Sequence, residues 1–331
     1  MLRDWSMGKI PVLDQSASSE IVLSQRNSNE TGFPREHRLS NIGSSYTKRL
    51  MSLDAFRGAT MASMVLVNNG YGPSTFSSFR HAEWNGWTFA DLVFPFFLWI
   101  VGVSMTFSFA RRIEENADRY MLLLHTLQRA TLLFGLGLLL NGFPDYNWEM
   151  IRIPGVLQRI AVCYLIGAVI FMYTSWRGQI CWIIGLFVVY SMMMTLIPVP
   201  GYGAGVLTPT ENFVQYIDNL LLSGHLSRSE PTDSLGVVST LPAIANVLCG
   251  VLCGQLLRRE GLAAHEKTIW MFVAAVALML LAWFLDHWMP INKKLWTPPY
   301  ALLTSGLAFL GFACCYWFID VLKKKGWANH W

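Results

Sequence analysis

Eight apolar runs, each near the roughly 20 residues that cross a bilayer as a helix, constrain this chain more than any other feature. They fall at 50–70, 87–110, 119–141, 153–174, 178–197, 236–257, 267–288 and 299–321. A backbone in hydrocarbon must satisfy its own N–H and C=O groups, so runs of this length become helices. The expected fold class is all-α: a polytopic membrane helical bundle with about eight transmembrane helices. Composition agrees, since only 14% of the 331 residues are charged, against about 25% in a soluble domain. The six cysteines sit inside apolar runs with no ligand spacing to histidine, so no metal is expected. No basic, aromatic-interleaved patch suggests nucleic acid.

Residues 1–48 read as a polar, mostly disordered tail, 49–322 as the membrane domain and 323–331 as a short basic end. Cationic residues then set the orientation. Arg35, Arg38, Lys48 and Arg49 precede the first run, Arg111 and Arg112 follow the second, and Arg177 follows the fourth. Arg258 and Arg259 follow the sixth, and Lys323, Lys324 and Lys325 the eighth. Alternating spans place all of these on one side, which the positive-inside rule makes cytoplasmic, with a cytoplasmic N-terminus. The connections 71–86, 142–152, 198–235 and 289–298 become external. Lys293 and Lys294 are the main exception to the rule.

Polar residues inside or beside these runs are the candidate functional groups. The stretch from His81 to Gly102 begins with His81, Glu83, Asn85, Thr88 and Asp91 and passes straight into an apolar helix. Histidine, as a residue type, exchanges protons near neutrality. An interfacial loop with Trp84 and Trp87 as its aromatic belt is the plainer reading. Asp91 precedes Pro95 by one turn and is a candidate partner for His81; Pro95 removes a helical donor. Asp54 and Arg57 share a helix face at i, i+3 and either anchor the helix start or let Arg57 meet an anionic ligand. Asn68 sits near the far end of the same run, where an amide can hold an imidazole or carbonyl or simply cap the helix. Arg152 and Arg159 at the external mouth of the fourth run suit a sugar or carboxylate, or are snorkelling anchors. Residues 213–222 have the spacing of a short amphipathic helix lying on the membrane.

Taken together, Ser52-Leu-Asp-Ala-Phe-Arg-Gly58, Val67-Asn-Asn69, His81-Ala-Glu-Trp-Asn-Gly86, Ala90-Asp-Leu-Val-Phe-Pro95, Ile151-Arg-Ile-Pro-Gly-Val-Leu-Gln-Arg159, Pro198-Val-Pro-Gly201, Tyr216-Ile-Asp218 and Ile291-Asn-Lys-Lys-Leu-Trp296 resemble the heparan-α-glucosaminide N-acetyltransferase family. The resemblance runs from about Arg49 to Asp320. It implies a transmembrane acyltransferase domain that moves acetyl from cytosolic acetyl-CoA to the amine of an amino sugar or glucosaminide at the external face. It implies His81 as the catalytic residue, with Asn68 assisting. Arg57, Asp54 and Arg111 are expected at the acetyl-CoA site, and Asp91, Asn85, Arg152 and Arg159 at the acceptor. Acetyl-CoA enters as the acyl-donor substrate. The expected partners are an amino sugar or glycan acceptor and the lipid bilayer, with a homodimer left open. Against the family pattern the chain is expected to be C-terminally shortened, because a later Gly-Met-Asn-type segment is not found, and a bacterial inner-membrane homologue is expected, because the external loops are short and no lysosomal sorting signal is identified. A transporter for N-acetylglucosamine or a related sugar is the alternative.

Overall fold

The computed structural model describes residues 50–69, 79–114, 118–144, 146, 150–227 and 231–323. The polar tail and all but the first residue of the basic end lie outside this set. Nine α-helices are present among the described residues: α1 Met51–Asn69, α2 Phe89–Glu114, α3 Arg119–Gly142, α4 Val156–Tyr173, α5 Trp176–Leu196, α6 Phe213–Leu222, α7 Thr240–Arg258, α8 Ala264–Leu285 and α9 Pro298–Tyr316. A π-helical turn, Trp317–Val321, extends α9. The eight long helices coincide with the eight expected runs. Seven of them, α2 to α5 and α7 to α9, are long and apolar enough to cross a membrane. The first, α1, has spanning length at 19 residues, but Asp54, Arg57, Asn68 and Asn69 make it less apolar than the rest.

Helices α2 and α7 form the middle of the bundle and touch backbone to backbone. A Cβ on Gly102 would lie 2.0 Å from the Val247 carbonyl oxygen, and one on Gly250 would lie 2.0 Å from that of Trp99. Reciprocal glycines therefore set this crossing, as small residues do where no hydrophobic drive separates helix from lipid. Around it, Trp99, Phe56, Phe309 and Phe312 pack edge-on or tilted, with ring centroids 5.2 to 6.0 Å apart. In contrast, α3, α5 and α8 turn Leu132, Leu140, Ile184, Leu280 and Trp283 outward, as lipid-facing helices should.

The connections expected on one side meet at one end of the bundle. Gly86 N–H donates to the Ile291 carbonyl at 2.7 Å, Trp84 Nε1 to the Leu207 carbonyl at 3.0 Å, and Ile153 N–H to the His225 carbonyl at 3.0 Å. Gly86 has φ +93°, a conformation open to glycine at little cost, and this turns the chain so that its N–H reaches the other loop. The short helix α6 forms where the spacing predicts it. Asn212 caps it by accepting from Gln215 N–H at 2.8 Å, and Phe213, Val214 and Asp218 face inward.

Candidate active site

The site is built on the N-terminus of α2. Thr88 and Asp91 form a reciprocal cap: Thr88 N–H donates to Asp91 Oδ2 at 3.0 Å, and Asp91 N–H donates to the Thr88 carbonyl at 3.0 Å. Ala82 N–H adds a bond to the same Oδ2 at 3.1 Å. These donors and the helix dipole favour a carboxylate at this spot. Asp91 is fully enclosed, with 0% exposure, so it touches its neighbours rather than opening to a ligand.

Its other oxygen, Oδ1, lies 2.8 Å from His81 Nδ1 and 2.9 Å from Lys293 Nζ. Lys293 Nζ also lies 2.9 Å from His81 Nδ1. Three groups thus meet within hydrogen-bond distance of one another. The His81 side chain is 40% exposed, so the open member of the cluster is the imidazole. With Nδ1 turned toward Asp91, the nitrogen left for chemistry is Nε2. A carboxylate that holds an imidazole by one nitrogen and leaves the other free is a general arrangement for base or nucleophilic catalysis.

Lys293 is held in place by its own loop. The side chain of Asn292, 0% exposed, accepts from Leu295 N–H at 2.9 Å and donates to Asn85 Oδ1 at 3.1 Å. Its backbone N–H donates to Thr297 Oγ1 at 3.1 Å. The loop ends on Trp296, buried at φ +55°, a strained conformation for a bulky residue. Trp296 Nε1 donates to Asn246 Oδ1 at 2.9 Å, and the Arg159 guanidinium lies 5.0 Å from the indole centroid.

The remaining candidates divide. Asn85 joins the His81 loop to the Lys293 loop. Arg152 forms a two-pronged ion pair with Asp233 at 2.6 and 3.0 Å, at the mouth of α4. Arg159 is buried; its Nη2 bonds the Gly236 carbonyl at 3.0 Å and the Ser239 hydroxyl, while Nε and Nη1 have no partner among the described residues. Asn68 is exposed in the last turn of α1, and nothing described bonds its side chain. The Arg111 side chain lies outside the described residues.

Arg57 and Asp54 occupy a different region. Arg57 donates to Asp54 Oδ1 at 3.3 Å and to Ser104 Oγ at 2.9 Å. Arg57, Ser104, Ser108, Arg129 and Tyr164 put polar groups into a cavity of about 380 Å³ between α1, α2, α3 and α4, whose remaining lining is apolar. Arg129, from the third run, thereby joins Arg57. Among the described residues no cluster of His, Cys, Asp and Glu could hold a metal ion.

A polytopic helical membrane protein with a carboxylate-held histidine at one helix mouth is the class this fold and site define. The catalytic-domain model of heparan-alpha-glucosaminide N-acetyltransferase matches residues 49–291, most of the chain, and the protein belongs to that family. It is 29% identical to the heparan-alpha-glucosaminide N-acetyltransferase of Homo sapiens, over 82% of this chain and 49% of the relative. It is 28% identical to that of Mus musculus, over 84% and 50%. The chain spans about half the length of these curated relatives.

Proposed function

We propose that this chain transfers an acetyl group from cytosolic acetyl-CoA to the amine of an amino sugar or glucosaminide at the opposite, external face of a bacterial inner membrane. The observation that carries this reading is the open imidazole of His81 over the enclosed carboxylate of Asp91. The family membership and the named activity of the two relatives support it.

Acetyl-CoA is the donor substrate, and the cavity fits its chemistry. Arg57 and Arg129 offer cations for phosphate oxygens, and Ser104, Ser108 and Tyr164 offer hydroxyls for the amides of its pantetheine arm. Ser104 is thirteen residues beyond Asp91 on α2, about 20 Å by helical rise. An extended pantetheine arm can span that distance and bring the thioester toward His81.

At His81 two routes are open. In the first, Nε2 takes the proton from the acceptor amine as its nitrogen attacks the thioester carbonyl; the C–S bond breaks and the proton passes to the leaving thiolate. In the second, Nε2 attacks the carbonyl and expels the thiolate. CoA leaves as the thiol with the proton that the acylated ring gives up; the amine then attacks the acetyl-imidazole, the Nε2–C bond breaks, and the amine's proton restores the imidazole. The second route lets donor and acceptor visit in turn. Asn68 is the candidate oxyanion donor, a role typically worth about 3 kcal/mol.

The test uses the full chain in nanodiscs with radiolabelled acetyl-CoA, with and without glucosamine, beside His81→Ala. The expected result is label in N-acetylglucosamine, lost in the variant. Label retained on the wild-type chain without acceptor would select the second route. No transfer to any amino sugar would overturn the reading and bring the sugar transporter forward.

A further inference from the structure

Asp91 is a fully enclosed carboxylate, and a buried charge needs a counter-charge. Two groups touch Oδ1 and can supply one: Lys293 as an ammonium, or His81 as an imidazolium. Only one is needed. With Lys293 charged and His81 neutral, the three-group cluster sums to zero; with both charged it carries a net positive charge, and an imidazolium stands 2.9 Å from an ammonium. Without Lys293, the neutral arrangement would be Asp91 paired with an imidazolium, which is neither a base nor a nucleophile.

We propose that Lys293 is a positioning residue whose ammonium serves as the standing counter-ion of Asp91 and so keeps the His81 imidazole uncharged. The proposal deepens the acyl-transfer reading and rests on it for its functional meaning, although the charge state of His81 can be read without any activity. The structure of the loop supports it. The buried Asn292, bonded to Asn85 across the gap and to Leu295 within its own turn, fixes the residue just before Lys293. The Lys293 side chain is only 15% exposed, so its charge is not spread into bulk water. From outside its own loop the described groups that face the imidazole are Asp91 and Lys293; Arg80 and Glu83 flank His81 along the chain, and Lys294 follows Lys293.

The test measures modification of His81 by diethyl pyrocarbonate, which attacks the neutral imidazole. The full chain in detergent is treated across a pH series, and the His81 peptide is quantified by mass spectrometry. Wild type and Lys293→Arg should react at similar rates at neutral pH. Lys293→Met should react at least about tenfold more slowly there, the effect of one unit of proton affinity, and recover at alkaline pH. If Lys293→Met does not fold, Lys293→Gln keeps an N–H donor for Asp91 without the charge and should behave as Lys293→Met would. One shared pH dependence for all variants would overturn the proposal. So would a Lys293→Arg protein as slow as the uncharged variants, because lysine's shape rather than its charge would then matter. Absence of acetyl transfer in wild type at every pH would instead sink the proposed function and leave the charge result standing.

Discussion

The hydroxyl of Tyr300 on α9 donates to the backbone carbonyl of Asp91 on α2 at 2.6 Å. In a regular helix that carbonyl would accept from the N–H four residues later. Here that residue is Pro95, which has none. Tyr300, fully buried, thus supplies the donor that the proline removes, and it does so at the residue that holds His81. The proline and the carboxylate that holds His81 are coupled through one phenol.

Tyr300→Phe should therefore leave a buried carbonyl unsatisfied at the root of the site. The expected cost is about 1–3 kcal/mol of stability, with a loss of acetyl transfer larger than the loss of folded protein. Thermal unfolding in detergent beside transfer assays at matched folded concentration checks both. Wild-type stability in Tyr300→Phe would mean that a solvent or backbone donor replaces the phenol.

Asp91→Asn removes the charge that Lys293 and His81 both touch. An amide can still accept from Thr88 and Ala82, so the cap of α2 should persist while Lys293 and His81 lose their common anchor. Transfer should fall by about a hundredfold or more, within the range that a mis-set acid–base group produces. By contrast, Thr88→Ala leaves both backbone bonds of the cap and removes only the hydroxyl that donates to the Arg80 carbonyl at 2.7 Å and to Asp91 Oδ2 at 3.1 Å, so it should cost about 1 kcal/mol of stability and much less activity. Equal losses in the two variants would reduce Asp91 to a capping residue.

The helices were legible because their signal is local and repeated. Twenty apolar residues in a row admit one solution in lipid, and the spans observed sit within a few residues of those expected. Asp91 as a partner of His81 was also legible, because ten residues and one helix entry separate them. Lys293 was visible as an exception to the expected charge asymmetry and as part of the Ile291–Trp296 motif, with nothing to name its partners. Its partners are more than two hundred positions away in sequence, and no periodicity reports a contact of that kind. Arg152 and Arg159 look alike in sequence, yet one pairs with Asp233 and the other lies over Trp296. Asp233 comes from the 198–235 connection and Trp296 from the 289–298 one, and nothing in the spacing of either pairs it with a particular arginine.

Asp218 gives the extramembrane layer a pH dependence. Burial pushes its carboxyl up to about 6, against the Val237 N–H bond that favours the charged form; Asp233 raises it further and Arg159 opposes. An unfolded aspartate titrates near 3.9. Between about pH 4 and about pH 6 the folded protein holds a proton that the unfolded chain has released, so this group's contribution to stability falls as pH rises through that window. Asp218→Asn can keep the bond from Val237 N–H to its Oδ1 position at 2.8 Å without the buried charge. It should flatten the decline of the midpoint temperature over that range and melt no lower than wild type at neutral pH. Melting curves from pH 4 to 8 on both proteins decide it. A steeper decline in the variant would show that the ionised carboxylate is the form the loop requires.

Arg57 and Arg129 carry the donor side of the proposal, and their contributions should separate from that of His81. If they hold phosphate oxygens, they bind the donor equally before and during acyl transfer, so their loss weakens binding without slowing the bound complex. Arg57→Ala should raise KM for acetyl-CoA about tenfold, the scale of one charge-assisted bond of roughly 1.5 kcal/mol or more, with kcat within about threefold. Arg129→Ala should do the same, because both arginines line one cavity. Arg57 also holds Asp54 and Ser104, so part of its effect can come from α1 slipping against α2. Ser104→Ala removes the interhelical bond and the Ser104 hydroxyl together and leaves the cation, so its effect on KM sets an upper bound on that part. Steady-state kinetics on the three variants with acetyl-CoA varied at fixed glucosamine provide the measurement. A fall in kcat with unchanged KM in both arginine variants would move these residues out of donor binding and assign them to the packing of the bundle.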